Sequence, residues 1–289
     1  MKITFRGTRG SIPVPGEGTV KYGGNTSCFQ VESAAGDCLI FDAGSGLRPL
    51  GEELLSKMPV TCNIFLTHTH WDHIQGLPFF TPIYVPGNTM HIYGPHDSER
   101  DRSIANILSF QMDKNYFPVN MEELQADISF YSLHRGEDVQ VGDVCVHSFP
   151  TNHPCESFGY LLSENGKRFF YSGDHEGFDE EISRKRGTYE ADKAKWNALV
   201  EFLQDVDAAV VDAQYTAEEY KTKVGWGHST ADMWIEIAKK AGIKKLFLNH
   251  HEPLRSDEML EGMYDELMQK YPDLPFEVEL ARENFSFEL

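Results

Sequence analysis

The stretch TCNIFLTHTHWDHIQGLPFF, residues 61–80, constrains this chain more than any other. An apolar run suited to one buried strand ends in three histidines and an aspartate, all between positions 68 and 73. On extended backbone, residues two apart point the same way, so His68 and His70 can face one ion. The chain then turns, and Asp72 and His73 can reach a second ion. Divalent metals take imidazole and carboxylate ligands converging at ~2 Å. A lone HxH is a weak signal, but four ligand-type residues in six positions are not.

Other ligand-type residues recur where apolar strands end. His153 follows a strand at 143–150, Asp174 follows one at 167–172, and His250 and His251 follow one at 244–249. Each alone reads as a loop residue. The shared position, taken with HTHWDH, makes a dinuclear site the better reading.

The periodicity predicts strands at 2–7, 27–33, 37–44, 61–67 and 91–95, with a helix at 47–57 carrying Leu47, Leu50 and Leu54 on one face. An amphipathic helix at 98–112 opens a less regular segment, 97–132. Strands follow at 138–150, 157–163 and 167–172, then a helix at 189–204 and a strand at 207–213. Ser229 and Asp232 form a capping-box-like start to a helix that turns Met233, Trp234, Ile237 and Ala241 inward and stops at Gly242. A strand at 246–251, a helix at 256–270 and a strand at 276–281 close the chain. Two runs of strands, each accompanied by helices, predict a four-layer αββα sandwich. We read one domain over 1–289, with an insertion-like segment at about 97–132.

The net charge of −19 repels polyanions at long range, and nucleic-acid binding usually needs a basic footprint. Bound cations could still attract a small anion. Five cysteines with no CxxC read as free thiols in a reducing compartment; Cys155, two residues after His153, stands apart. No apolar run approaches the ~20 residues of a membrane span. MKITFRGTRGS lacks a signal-peptide pattern, so a cytoplasmic location is expected.

In order and spacing, FDAGSG, HTHWDH, TNHP, SGDHEG and LFLNHH resemble the metallo-β-lactamase superfamily, over nearly the whole chain. The resemblance implies that His68, His70 and His153 hold one divalent ion. Asp72, His73 and His250 would hold the other, and Asp174 would bridge. Zinc is the expected metal, manganese the alternative. Asp42 looks like the buried aspartate that orients the ligand loop from behind. His250 is favoured over His251 by the match to the strand end, and His175 is read as a neighbour of the substrate.

WGHSTADMW, 226–234, resembles the GHST loop of the ribonuclease Z branch, which contains phosphodiesterases. It implies that His228 approaches the scissile phosphate while Asp72 orients or deprotonates the nucleophile. Ribonuclease Z carries a long arm between the strand-end histidine and the bridging aspartate. Here only twenty residues separate His153 from Asp174. With the acidic charge, this favours a small phosphodiester such as a cyclic nucleotide and makes structured RNA the less expected substrate. The alternatives are ribonuclease Z-like RNA processing, hydrolysis of a thioester or lactone, and a non-catalytic nucleotide sensor. Trp71, Phe80 and Trp226, with His175 and His251, are the expected substrate-lining residues; Phe79 and Tyr84 are further aromatics near the mouth. The glycine-rich loop 7–24 reads as mouth lining or turn scaffolding. A homodimer is expected, with 97–132 covering or bordering the mouth; the alternative is that this segment folds onto its own core.

Overall fold

The computed structural model describes residues 1–289 and resolves the alternating segments into two seven-stranded sheets. In the first, β1 (Lys2–Gly7), β2 (Cys28–Glu32), β3 (Cys38–Phe41), β4 (Thr61–Phe65), β5 (Thr89–Pro95) and β6 (Asp127–Leu133) lie side by side in chain order. In the second, β7 (Asp138–Val141), β8 (Val144–Pro150), β9 (Phe158–Glu164), β10 (Lys167–Tyr171), β11 (Ala208–Asp212), β12 (Lys245–Asn249) and β13 (Glu277–Leu280) do the same. β14 (Ser286–Glu288) returns to pair with β1. Strands β3 to β6 are mutually parallel, as are β10 to β13. Their carboxyl ends therefore open at common edges, where open α/β sheets place their ligands.

Helices cover the outer faces. α1 (Leu47–Leu54), α2 (Trp71–Ile74) and α3 (Ile104–Gln111) belong to the first sheet. On the second, α4 (Glu180–Arg186) leads into α5 (Tyr189–Phe202), α6 (Ala217–Tyr220) is a single turn, and α7 (Ala231–Ala241) and α8 (Asp257–Lys270) complete the layer. Three apolar clusters result. One lies between the sheets and is rich in aromatics, including Phe5, Phe29, Phe41, Phe65, Tyr160 and Tyr171. The other two lie beneath the helices of each face. This is the αββα sandwich. No helix is long and apolar enough to cross a membrane.

Several elements differ from the sequence reading. The strand expected at 138–150 is a hairpin, β7–β8, reversing at Gly142 with φ +55°. The helix expected from 98 begins at Ile104. Asp97 and Arg102 first exchange backbone hydrogen bonds, and Ser103 then caps the helix by accepting from the Asn106 N–H. β6, α4 and β14 were not read. Thr230, not Ser229, caps α7, and Ile235 and Ala238 are buried on that helix where Met233 is only half-buried. Within 97–132, Ile104 and Leu108 are buried in the outer core, while Phe110 and Tyr116 are exposed.

Phe80 corrects the expected substrate wall. Two short turns of 3-10 helix, Leu77–Phe79 and Thr81–Tyr84, flank it, turning Phe79 outward and Phe80 inward. Phe80 is fully buried in the outer core against α1, where Gly51 leaves room for its ring. Phe80→Ala is expected to cost about 3–5 kcal/mol, the range for deleting a buried phenylalanine. It should read as a lower urea midpoint. A substrate-wall role would instead raise KM and leave the midpoint in place.

Candidate metal centre

Strand ends deliver the site. Asp42 follows β3, the HTHWDH loop follows β4, His153 follows β8, Asp174 follows β10, Asp212 ends β11, and His250 follows β12. His68 and His70 lie in the loop beyond β4 rather than on the strand, yet both join one donor group with His153 and Cys155. Asp72 and His73 open α2 and join Asp174 and His250 in a second group.

In the first group, His153 Nε2 lies 3.1 Å from His70 Nδ1. His153 is aimed by its other nitrogen, whose N–H donates to the Gly227 carbonyl at 3.0 Å. The backbone there needs glycine: φ is +89°, and a Cβ would strike the His153 ring. Cys155 Sγ lies 3.7 Å from His70 Nε2, the ring nitrogen other than the one that faces His153.

In the second group, His250 Nε2 is 3.2 Å from both Asp72 Oδ2 and Asp174 Oδ1. His73 Nε2 is 3.1 Å from Asp174 Oδ1. The far nitrogens are again held, His73 Nδ1 by Asp42 at 2.7 Å and His250 Nδ1 by Gln214 Oε1 at 3.1 Å. Fixing the second nitrogen leaves the first to face the centre. Asp42 and His250 both adopt left-handed backbone, φ +61° and +60°, a conformation that costs of order 1–3 kcal/mol and clusters at functional sites. Gly10 packs against the His250 ring, and no Cβ would fit between them.

Asp174 touches both groups, with Oδ2 3.6 Å from His68 Nε2. His68 Nε2, His73 Nε2 and Asp174 Oδ1 are buried and make no hydrogen bond. Buried polar atoms are seldom left unsatisfied. Three orphans converging within two imidazole–carboxylate sets fit two divalent cations. Burial raises the Asp72 and Asp174 carboxyls, but the surrounding histidines pull both below the ordinary range. Burial opposes charge on His68 and lowers His153 to about 4, favouring neutral imidazoles there; on His73 and His250 burial is outweighed by Asp174 and its neighbouring carboxylates, which raise both, so a bound cation would displace a proton at each.

Asp212 was missed by the sequence reading, although it obeys the same strand-end rule. Its Oδ2 accepts from His228 Nδ1 at 2.9 Å, and His228 Nδ1 lies 3.8 Å from Asp174. Burial works against charge on His228, but Asp212 and Asp174 outweigh it and raise the imidazolium to about 9. The glycine-rich loop was read only in outline. Its Ser11 N–H donates to Asp72 Oδ2 at 2.7 Å.

Glu176 was also missed. Its carboxylate accepts from Tyr220 Oη at 2.8 Å, Gly225 N at 2.7 Å and Gly227 N at 3.1 Å. It thereby pins the loop that carries His228 and aims His153. Glu176→Gln turns one acceptor into a donor facing an N–H. Activity is expected to fall ~10–100-fold through misplacement of His228, with metal content unchanged. Loss of metal alongside activity would show that the loop's main role is to hold His153.

Two expected lining residues point elsewhere. The His175 ring lies against Trp234, and its Nδ1 accepts from the Asn152 N–H. His251 Nε2 donates to the Ala281 carbonyl at 2.7 Å, and the ring lines a separate cavity of about 300 Å³ bordered by Leu260 and Leu267 of α8. The left-handed backbone at His250, φ +60°, just beyond β12, separates the two rings. Trp71 and Trp226 are both exposed, beside His70 and Gly227 in the chain.

A family model described as beta-lactamase superfamily domain matches residues 38–251. Among curated relatives, the ribonuclease Z of Picrophilus torridus is 26% identical, covering 89% of this chain and 87% of its own length. Among solved structures, the metallo-beta-lactamase fold protein YhfI from Bacillus subtilis superposes with a TM-score of 0.71 at 19% identity, covering 100% and 99% of the two chains. A diphosphatase from the PhnP family gives 0.68 at 19%, covering 100% and 97%.

Proposed function

This chain belongs to the β-lactamase superfamily, on its ribonuclease Z-like side, and from that premise we propose a dinuclear metal-dependent phosphodiesterase acting on a small nucleotide-type phosphodiester such as a cyclic nucleotide. The observation that carries this is the Asp212–His228 pair, 2.9 Å long, set against the donor groups through Asp174. Thioester or lactone hydrolysis has no need of such a pair, and a sensor that only binds has no need of two full donor sets.

His68, His70 and His153 would hold one ion, Asp72, His73 and His250 the other, and Asp174 both; zinc suits these donors, with manganese the alternative. When bound, two divalent ions supply Lewis acidity and a nucleophilic water near neutral pH. Asp72, fixed by Ser11 N–H, orients that nucleophile. Asp212 holds His228 by Nδ1 and leaves Nε2 for the phosphoryl or leaving oxygen. A protonated His228 then serves as general acid, an effect of ~10²–10⁴-fold.

Substrate size is argued from the surroundings. Between His153 and Asp174 the chain forms only the tight β9–β10 hairpin. Two polar clefts of about 360 and 470 Å³ meet at His153, within the size of small-ligand sites. One of them is lined by Arg100, Arg102 and Arg135 together with Asp97, Glu99 and Glu156, with Arg135 paired to Glu156 at 2.7 Å and Arg100 to Asp97 at 3.4 Å. Exposed Trp71 and Trp226 offer rings for a base, worth ~1–3 kcal/mol by stacking. The ribonuclease Z relatives argue against dismissing structured RNA, so RNA processing is the second reading. We further propose a cytoplasmic homodimer; a ~33 kDa species in dilute sedimentation would refute the dimer.

The test is metal analysis followed by a hydrolysis panel. The panel holds bis-p-nitrophenyl phosphate, 2′,3′- and 3′,5′-cyclic nucleotides, cyclic dinucleotides, a thioester and precursor tRNA. About two ions per chain and turnover of a cyclic nucleotide well above that of precursor tRNA are expected. The reverse order would establish the RNA reading, and turnover of the thioester alone would overturn both.

A further inference from the structure

The β7–β8 hairpin lies at the edge of the second sheet, remote in the strand order from the ends that carry the metal centre on β10 to β12. Asp138 on β7 is the register partner of His147 on β8. Cys145 lies two residues before His147 and so shares its face. Val144 and Val146 take the opposite face, into the core between the sheets. Aspartate, thiol and imidazole are thus gathered on the outer face by strand pairing alone. His147 Nδ1 lies 2.9 Å from Asp138 Oδ2 and 3.9 Å from Cys145 Sγ, and the three donor atoms all fall within 4.8 Å of one another.

We propose that Asp138, Cys145 and His147 form a third divalent-cation site, selective for zinc-like ions and independent of the dinuclear centre. A tetrahedral ion at ~2.0 Å from nitrogen and oxygen and ~2.3 Å from sulfur holds its donors about 3.3–3.5 Å apart. The two contacts of His147 bracket that spacing, so small side-chain rotations complete the set. Water takes the fourth position, since all three side chains keep access to solvent. The donor types choose the ion: thiolate with imidazole suits zinc, whereas magnesium and calcium want oxygen alone. β7 is an edge strand, and edges invite pairing with other chains unless blocked. An ion joining β7 to β8 ties that edge down.

The test uses the whole protein carrying Cys155→Ser, so that the thiol beside His70 contributes no signal. It is equilibrated with excess zinc, freed of loose metal and analysed. One zinc more than in the same protein carrying Cys145→Ser or His147→Ala is expected. With cobalt, a near-ultraviolet thiolate-to-metal charge-transfer band should appear and vanish on Cys145→Ser. The band should persist when His68→Ala is introduced to weaken the dinuclear centre, which separates this site from the proposed function. Equal zinc content with and without the hairpin substitutions, or cobalt loading with no thiolate band, would overturn the site.

Discussion

Asp174→Asn is expected to leave the protein with at most one tightly held divalent ion per chain and to reduce phosphodiester hydrolysis by more than ~10²-fold, beyond what loss of an outer partner of a ligand costs. The substitution keeps volume and removes charge. Asp174 is the carboxylate that reaches both donor groups, with His73 and His250 within 3.2 Å of Oδ1 and His68 within 3.6 Å of Oδ2. An amide offers one neutral oxygen in place of a carboxylate that faces both donor groups. The second readout is thermal. Ligands that bind only the native state stabilise it by mass action, ~2.7 kcal/mol at a concentration one hundred times Kd. Added zinc should therefore raise the melting temperature of the parent protein well above that of the variant. Full metal content in Asp174→Asn would remove Asp174 from the ligand set.

What could be read in the sequence depended on how each residue carries its signal. HTHWDH was legible because its donors are contiguous and leave a buried strand. His153, Asp174 and His250 were legible because the same strand-end position recurs. Asp212 sits at an equivalent end, but an acid in VVDA has no neighbouring donor to mark it. Its role is visible only once β11 places it beside His228. Ser11 acts through a backbone N–H, which has no side-chain signature. Glu176 acts on a loop fifty residues away, through hydrogen bonds that no local pattern encodes. Nearness in sequence also misled. Phe80 follows the ligand loop and His251 follows a ligand, yet a helical turn at the first and a left-handed residue, His250, before the second send each to the opposite side. The sandwich was legible from the order of strands and helices. β6 was not, because its residues, mostly half-buried on an edge, lack the clean alternation of the central strands.

His228→Ala should slow hydrolysis of bis-p-nitrophenyl phosphate by at least about tenfold and up to ~10⁴-fold, the range of a general acid, while metal content stays near the parent value. His228 is held by Asp212 and meets the metal centre through Asp174 and by stacking on the His250 ring, 4.9 Å between centroids. Its removal therefore takes away a proton donor without opening either ligand set. Asp212→Asn should act through the histidine. An amide at 2.9 Å from Nδ1 can still position the ring, but it removes the larger of the two charges that hold His228 protonated. A smaller loss than that of His228→Ala is expected, with the rate falling as pH rises through the lowered histidine value. The two substitutions share one pathway, so the double variant should be no slower than His228→Ala alone; neighbours in one network are non-additive in this way. Additive losses would mean that Asp212 acts on its own, as a ligand or on the substrate. Loss of metal in His228→Ala would make the histidine a ligand and remove the general acid from the mechanism.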